Sequence, residues 1–278
     1  MVLIDEHPEY SNARPGISDD LCAQVLQTHS AGTRLFLRLA RRRWFFRVAK
    51  FLEESTVPGI LRHYALRKKC LALFVRESLG DAITQVVVLG AGLDPLALTL
   101  HREFRNAHFW EIDHPATQRL KKEASADVDT KRFHFVAADL AADQIDAAML
   151  ENSGFDSAQR TLWIAEGLFM YFPESVVASL LTAAAGLSAP GSRFAFTFME
   201  PRRDGRVRFQ RQTQLVDRWL SWRGEPFVWG LDRSRISRLA QPWEVVRVID
   251  ENDLRALDAS PADPPLAAGE LICLAEIR

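Results

Sequence analysis

From Gln85 onward the chain repeats one pattern: a short run of β-branched and aromatic residues, then a stretch compatible with helix. The runs are QVVVLG, HFWEID, RFHFVAAD, TLWIAEG and RFAFTFM, with segments such as PATQRLKKEASAD and PESVVASLLTAAAGL between them. Strands alternating with helices join through right-handed crossovers into a parallel sheet. WEVVRVID and ELICLAEIR bring the expected strands to seven. Only the short ENDLRAL and the Pro/Ala-rich LDASPADPPLAAG lie between these last two. A final strand entering without a helical crossover can pair antiparallel to its neighbour.

Upstream, residues 1–80 read as a helical N-terminal cap, punctuated by the turn signals SNARPGIS and STVPGI. Residues 81–278 read as the α/β domain, with a helical insert over about 201–231 that begins PRRDGRVRFQRQTQLVDRWLSWRGE. A chain of 278 residues buries a full core without disulfides or metals. Cys22, Cys70 and Cys273 show no metal-ligand spacing, so a reducing cytoplasm and no metal are expected. A net charge of -1 argues against a general nucleic-acid binder. MVLIDEHPEY acquires acids at once, unlike a secretory signal, and no apolar run reaches the roughly 18 residues of a membrane span.

One segment is strongly basic. Arg34 to Lys50 holds seven cations and no acid, with apolar residues at roughly helical spacing. The expectation is a solvated surface helix of the cap; a helix lying on a membrane or facing an anionic partner is the alternative.

The stretch QVVVLGAGLDPLAL is a buried strand, a tight turn and a helix start. Gly90, Ala91 and Gly92 make a turn whose backbone approaches a ligand closely. Asp94 can cap the following helix, and Pro95 suits its first turn. Pro95 also stands where the dinucleotide fingerprint has its third glycine, which weakens a nicotinamide-dinucleotide reading. No G-K-[ST] follows, so this is no phosphate-binding P-loop. What remains is a nucleoside ligand without phosphates, and S-adenosylmethionine is such a ligand.

Acids occur at successive strand ends. Glu111 and Asp113 share one side of their strand, and Asp113 ends it about 20 residues after the glycines, where a carboxylate accepts from ribose hydroxyls. Asp139, in VAADL, can accept from an adenine amino group with the Leu140 backbone against the ring; a helix cap is the equal alternative. Glu166, in AEG before Gly167, lies in apolar surroundings and needs a partner. That partner is either a cationic ligand atom or an arginine of the cap.

In order and spacing, VVVLGAGLDPLAL, FWEIDHPATQRLKK, AADL and WIAEGLFMYFPES resemble the leucine carboxyl methyltransferase family, most of all its bacterial polyketide-type (tetracenomycin-like) O-methyltransferase branch. The similarity runs over roughly Arg62 to Ser188. It implies a Rossmann-like class I S-adenosylmethionine-dependent methyltransferase with a mostly parallel seven-stranded sheet, an antiparallel last strand and a helical N-terminal cap. It further implies that Gly90 and Gly92 line the cofactor, that Asp113 holds the ribose, and that Asp139 and Leu140 flank the adenine. Glu166 would face the methionine end, and Arg67, in HYALRKKC, would grip the carboxylate. For Arg67 a structural ion pair is the alternative. The chain departs from the family pattern at Pro95 and Leu96, where a Thr-Arg pair is common, and after Arg67, where ALF replaces acids.

Methyl transfer from a sulfonium asks mainly for positioning and a dry site. A carboxylate acceptor needs no base; a phenol, with a pKa near ~10, benefits from one. Candidate bases are His63, His114 and Tyr171, each with a structural role as the commoner outcome. The expected acceptor is a small acidic or aromatic molecule, received by Arg202, Arg203, Arg206, Arg208, Trp219 and Trp222 of the insert. The alternative is an amphipathic helix that packs its tryptophans on the sheet. Amino-methylating and cytosine-C5 enzymes are disfavoured: EGLF stands where [DN]-P-P-[YFW] would, and no Pro-Cys occurs. The rival functions are an NAD-dependent oxidoreductase and a non-catalytic, membrane-associated binding protein.

Overall fold

The computed structural model describes residue 39 and residues 42–125, 128–151, 153–258 and 264–278. The SNARPGIS turn, Cys22, Arg34, Arg38 and Arg41 lie outside the described residues.

The expected strands all form: β1 (Gln85–Leu89), β2 (His108–Asp113), β3 (Phe133–Ala137), β4 (Thr161–Ala165), β5 (Arg193–Met199), β6 (Glu244–Ile249) and β7 (Glu270–Glu276). They make one sheet in the order β3-β2-β1-β4-β5-β7-β6. The first five are parallel, and β7 runs antiparallel to both β5 and β6. This is the Rossmann-like fold of class I S-adenosylmethionine-dependent methyltransferases. The order reverses between β1 and β4, so the loops leaving their C-terminal ends diverge and open a crevice, the usual ligand position in such sheets.

Before the sheet come α1 (Arg43–Thr56) and α2 (Ile60–Gly80). Within it come α3 (Leu96–Glu103), α4 (Pro115–Ala124), α5 (Ala147–Glu151), α6 (Glu174–Gly186), α7 (Gln214–Arg223), α8 (Ile236–Leu239) and α9 (Glu251–Ala256). Side-chain alternation sends β1 to both faces. Val86 and Val88 pack with Ala72 and Val75 of α2 and with α3, while Val87 and Leu89 pack with Trp110, Trp163 and α6. Three buried tryptophans keep their indole N–H groups bonded: Trp110 to Ser153, Trp163 to Ser188, and Trp243 to the Leu181 carbonyl, at 2.7, 2.8 and 2.8 Å.

The STVPGI turn joins α1 to α2 through Gly59, whose φ is 81°. A Cβ there would stand 2.5 Å from the Pro265 carbonyl carbon, and the Gly59 carbonyl accepts from Ala267 N–H at 3.2 Å. The cap is thereby tied to the segment that leads into β7. Gly59→Ala combines a left-handed backbone with a clash against backbone atoms, and should cost more than about 2 kcal/mol in urea unfolding. A loss below about 0.5 kcal/mol would mean that this contact is easily relieved.

One expectation differs from the structure. The helix expected through the insert is confined to Gln214–Arg223; Pro201 and Gly205 precede it in non-helical backbone. The basic helix of the cap lies at the surface as α1, burying Phe46 and Glu53 and turning Trp44, Val48, Phe51 and Leu52 outward, Phe51 to 66% exposure. Amphipathic spacing says that one face is apolar, not which way that face looks.

Candidate functional site

Three strand ends and one cap helix meet at a single edge of the sheet. β1 leaves through Gly90 (φ 63°) and Gly92 (φ 50°). A Cβ on Gly90 would lie 2.5 Å from Leu168 Cδ1, whereas around Gly92 nothing lies within 4 Å of that position. The turn is packed beneath and open above, as a backbone cradle requires. Asp113, at the end of β2, accepts the Gly92 N–H on one carboxylate oxygen and its neighbour His114 N–H, at 2.6 Å, on the other. The glycine turn and the β2 carboxylate are therefore one unit.

Below this turn lies a chain of buried ion pairs. Lys121 of α4 donates to Glu111 Oε1 and to the Asp94 carbonyl, both at 2.6 Å. Burial raises the Glu111 carboxyl to about 7 against the opposing pull of Lys121. Its Oε2 is buried without a partner among the described residues. Glu111 thus faces Lys121, while Asp113, two residues on, stands at the strand end. Asp94 accepts the Leu96 N–H at 3.0 Å, and α3 starts at Leu96, so Pro95 occupies the cap position rather than the first turn.

Asp94 also accepts from Lys68 of α2, whose ammonium reaches Glu166 at 2.6 Å. Arg67 donates through Nε to Glu166 at 2.8 Å, and through Nη1 to both oxygens of Glu270, at 2.8 and 2.7 Å. Nη2 makes no hydrogen bond to a described residue and lies 3.7 Å from where a Gly167 Cβ would be. The Tyr64 ring sits 4.7 Å from the same guanidinium. Glu166 and Arg67, singled out from the sequence, are therefore each other's partners, the cap-arginine alternative for Glu166. Nothing in the sequence pattern marked Glu270, Lys68, Asp94 or Lys121 as site acids and cations. β7 runs opposite to its neighbours, so its first residue reaches the edge where the parallel strands end.

His63 Nε2 lies 2.8 Å from Glu270 Oε2, and its buried Nδ1 has no partner among the described residues. His114 caps α4, its Nδ1 accepting Ala116 N–H at 3.3 Å. For Tyr171, burial first, then Glu225 and Glu270, raise the phenol above its ordinary value. Asp139 is exposed and accepts Ala141 N–H at 3.0 Å in a turn, while Leu140 beside it is buried.

The insert lines an open cavity of about 260 Å³ whose walls include Arg206, Val207, Arg208, Gln212, Leu220 and Phe227. Arg208 is buried there, with Nη1 on Asp217 at 2.7 Å and Nε unpartnered among the described residues. Phe227 stacks edge-on with Tyr171 at 5.6 Å and lies 6.3 Å from Phe209, which lies 5.4 Å from His63. Aromatic contacts thus run from the cavity wall to the Arg67–Glu270 pair. Trp219 and Trp222 do not line it; they project outward, Trp222 to 80% exposure.

Among the described residues no helix is long and apolar enough to cross a membrane. Residues 7–185 match the family model described as leucine carboxyl methyltransferase. The chain is 36% identical over 158 residues to a "Putative S-adenosyl-L-methionine-dependent methyltransferase" of Mycobacterium avium (strain 104), covering 56% of this chain and 51% of that protein. A protein of the same description from Mycobacterium tuberculosis (strain ATCC 25177 / H37Ra) is 35% identical over 189 residues, covering 66% and 53%. The chain spans about half the length of the curated relatives it matches. In fold it is similar to a "putative methyltransferase" from Thermobifida fusca YX, with TM-score 0.59, 17% identity and 98% of both chains covered. With the family model matching well over half of its length, the chain belongs to the leucine carboxyl methyltransferase family.

Proposed function

We propose that this chain is an S-adenosylmethionine-dependent O-methyltransferase whose acceptor is a carboxylate of a small acidic or aromatic molecule, in the manner of the polyketide-type branch. S-adenosylmethionine is the cofactor, and it supplies a methyl group made electrophilic by the sulfonium. The open, positive-φ turn at Gly92 fits a nucleoside without phosphates, with Ala91 and Gly90 shaping its base. Asp113 accepts from the ribose hydroxyls while holding the turn. Asp139 and the Leu140 backbone flank the adenine. Arg67 offers Nη2 to the cofactor's carboxylate, and Gly167, having no side chain, leaves that donor uncovered. Glu166 orients the guanidinium. Glu111 acts at one remove, holding Lys121 against the Asp94 carbonyl.

The observation that favours a carboxylate over a phenol is the state of the three candidate bases. His63 is 1% exposed and its one open nitrogen, Nδ1, is buried away from any acceptor molecule, His114 is held at the start of α4, and the environment of Tyr171 makes its phenol a weaker acid than usual. None is a free base poised for a phenolic proton, and an ionised carboxylate needs none. Arg208 and Arg206 at the cavity provide cationic donors for an acidic acceptor.

The test is a panel of aromatic acids and phenols incubated with S-adenosylmethionine, the products read by mass and by alkaline lability. The expected product gains one methyl and loses it in alkali, as an ester does. Arg208→Gln should raise KM for the acid by about tenfold, the size of one charge-assisted hydrogen bond, with kcat little changed. Alkali-stable ethers from phenols alone would overturn the carboxylate assignment.

A further inference from the structure

Two cations of α2 enter the sheet edge side by side. Arg67 spans Glu166 and Glu270, and Lys68 spans Glu166 and Asp94. Lys68 is only 8% exposed. Burial alone would lower its pKa, but Asp94 and Glu166 hold it above the ordinary lysine value, so it is a charged group. Asp94 comes just after the glycine turn and Glu166 just after β4, so Lys68 binds the two carboxylates that flank the crevice between β1 and β4. Arg67 keeps a donor in Nη2, whereas the carboxylates that Lys68 takes are ones a cationic ligand would seek.

Resting on the cofactor assignment above, we propose that Lys68 is a specificity-determining residue. Its ammonium is a resident counterion on Asp94 and Glu166, and the α-ammonium of S-adenosylmethionine reaches those acids only by displacing it or sharing them with it. Either route lowers the affinity for a ligand with a cationic amino-acid end. Like charges a few ångströms apart in a partly desolvated site repel by enough to change binding by about tenfold or more. A lysine that merely fastened α2 to the sheet would have no such effect on the ligand.

The experiment is calorimetric titration of S-adenosylmethionine into the wild type, Lys68→Met and Lys68→Arg, with a melting curve for each. Lys68→Met should melt lower without ligand, because two buried carboxylates lose their countercharge. It should nevertheless bind S-adenosylmethionine about tenfold more tightly, and gain more from it in melting temperature. Lys68→Arg keeps the charge and should match the wild type. Equal or weaker binding by Lys68→Met overturns the proposal. A measurement on the wild type guards against a variant that does not fold: the analogue lacking only the α-amino group should bind within about threefold of S-adenosylmethionine. A loss beyond about tenfold would show that the ammonium gains the acids unopposed, and the proposal would fall. If the wild type binds neither ligand, the cofactor assignment falls and this inference with it; if it binds and only the Lys68 results disagree, this inference alone falls.

Discussion

Glu270→Gln lowers the unfolding free energy by roughly 3 kcal/mol near neutral pH, and by progressively less in acid. Glu270 is 2% exposed and takes both oxygens to Arg67 Nη1, with His63 on one of them. Burial alone would raise this carboxyl; the Arg67 charge, with His63 behind it, outweighs burial and lowers it from 4.5 to about 2. A carboxyl depressed in the folded state stabilises the fold above its unfolded value, near 4.5, and loses that contribution as the pH falls toward about 2. Glutamine has the shape without the charge, and it leaves the buried Arg67 guanidinium with Glu166 alone. Urea unfolding of both proteins near pH 7 and at about pH 3 measures the difference, which should narrow in acid. A difference that does not change with pH would mean that the Glu270 charge is not what holds the cap to β7.

Asp113→Ala weakens S-adenosylmethionine binding by at least about a hundredfold, from the loss of two hydrogen bonds to a charged acceptor at about 1.5 kcal/mol or more each. The carboxylate has two duties. It binds the Gly92 N–H, and it remains an acceptor at the mouth of the turn. Alanine removes both, so the turn loses its brace and, in the cofactor placement proposed above, the ribose loses its acceptor. Asp113→Asn keeps one acceptor oxygen and should fall between the two. Titration calorimetry on the three proteins checks this, and a change below about threefold would move the ribose elsewhere.

The strands and the glycine turn were legible because their cause is local. Val86 to Leu89 is buried on both faces, and such a strand must read as a continuous apolar run ending where the chain turns. The place of Asp113 came from the strand period and the end of β2. The ion-pair chain was not legible, because its members come from separate elements: Lys68 and Glu166 are 98 residues apart, and Arg67 and Glu270 are 203. Glu270 is hidden further by the reversed direction of β7. Period two put Glu111 beside Asp113 but could not say that α4 covers one and spares the other; Gln118 and Lys121 close over Glu111. For the outward tryptophans of α7 the pattern held the periodicity and not the partner, since α7 buries none of its residues.

The most direct test of the central claim is calorimetric titration of the wild type with S-adenosylmethionine, with NAD as the control and Asp113→Ala as the site control. Micromolar, saturable binding of S-adenosylmethionine, none of NAD, and loss of binding in Asp113→Ala are the predicted results. NAD binding, or S-adenosylmethionine binding that survives in Asp113→Ala, would contradict the assignment of the β1–β2 edge as the cofactor site.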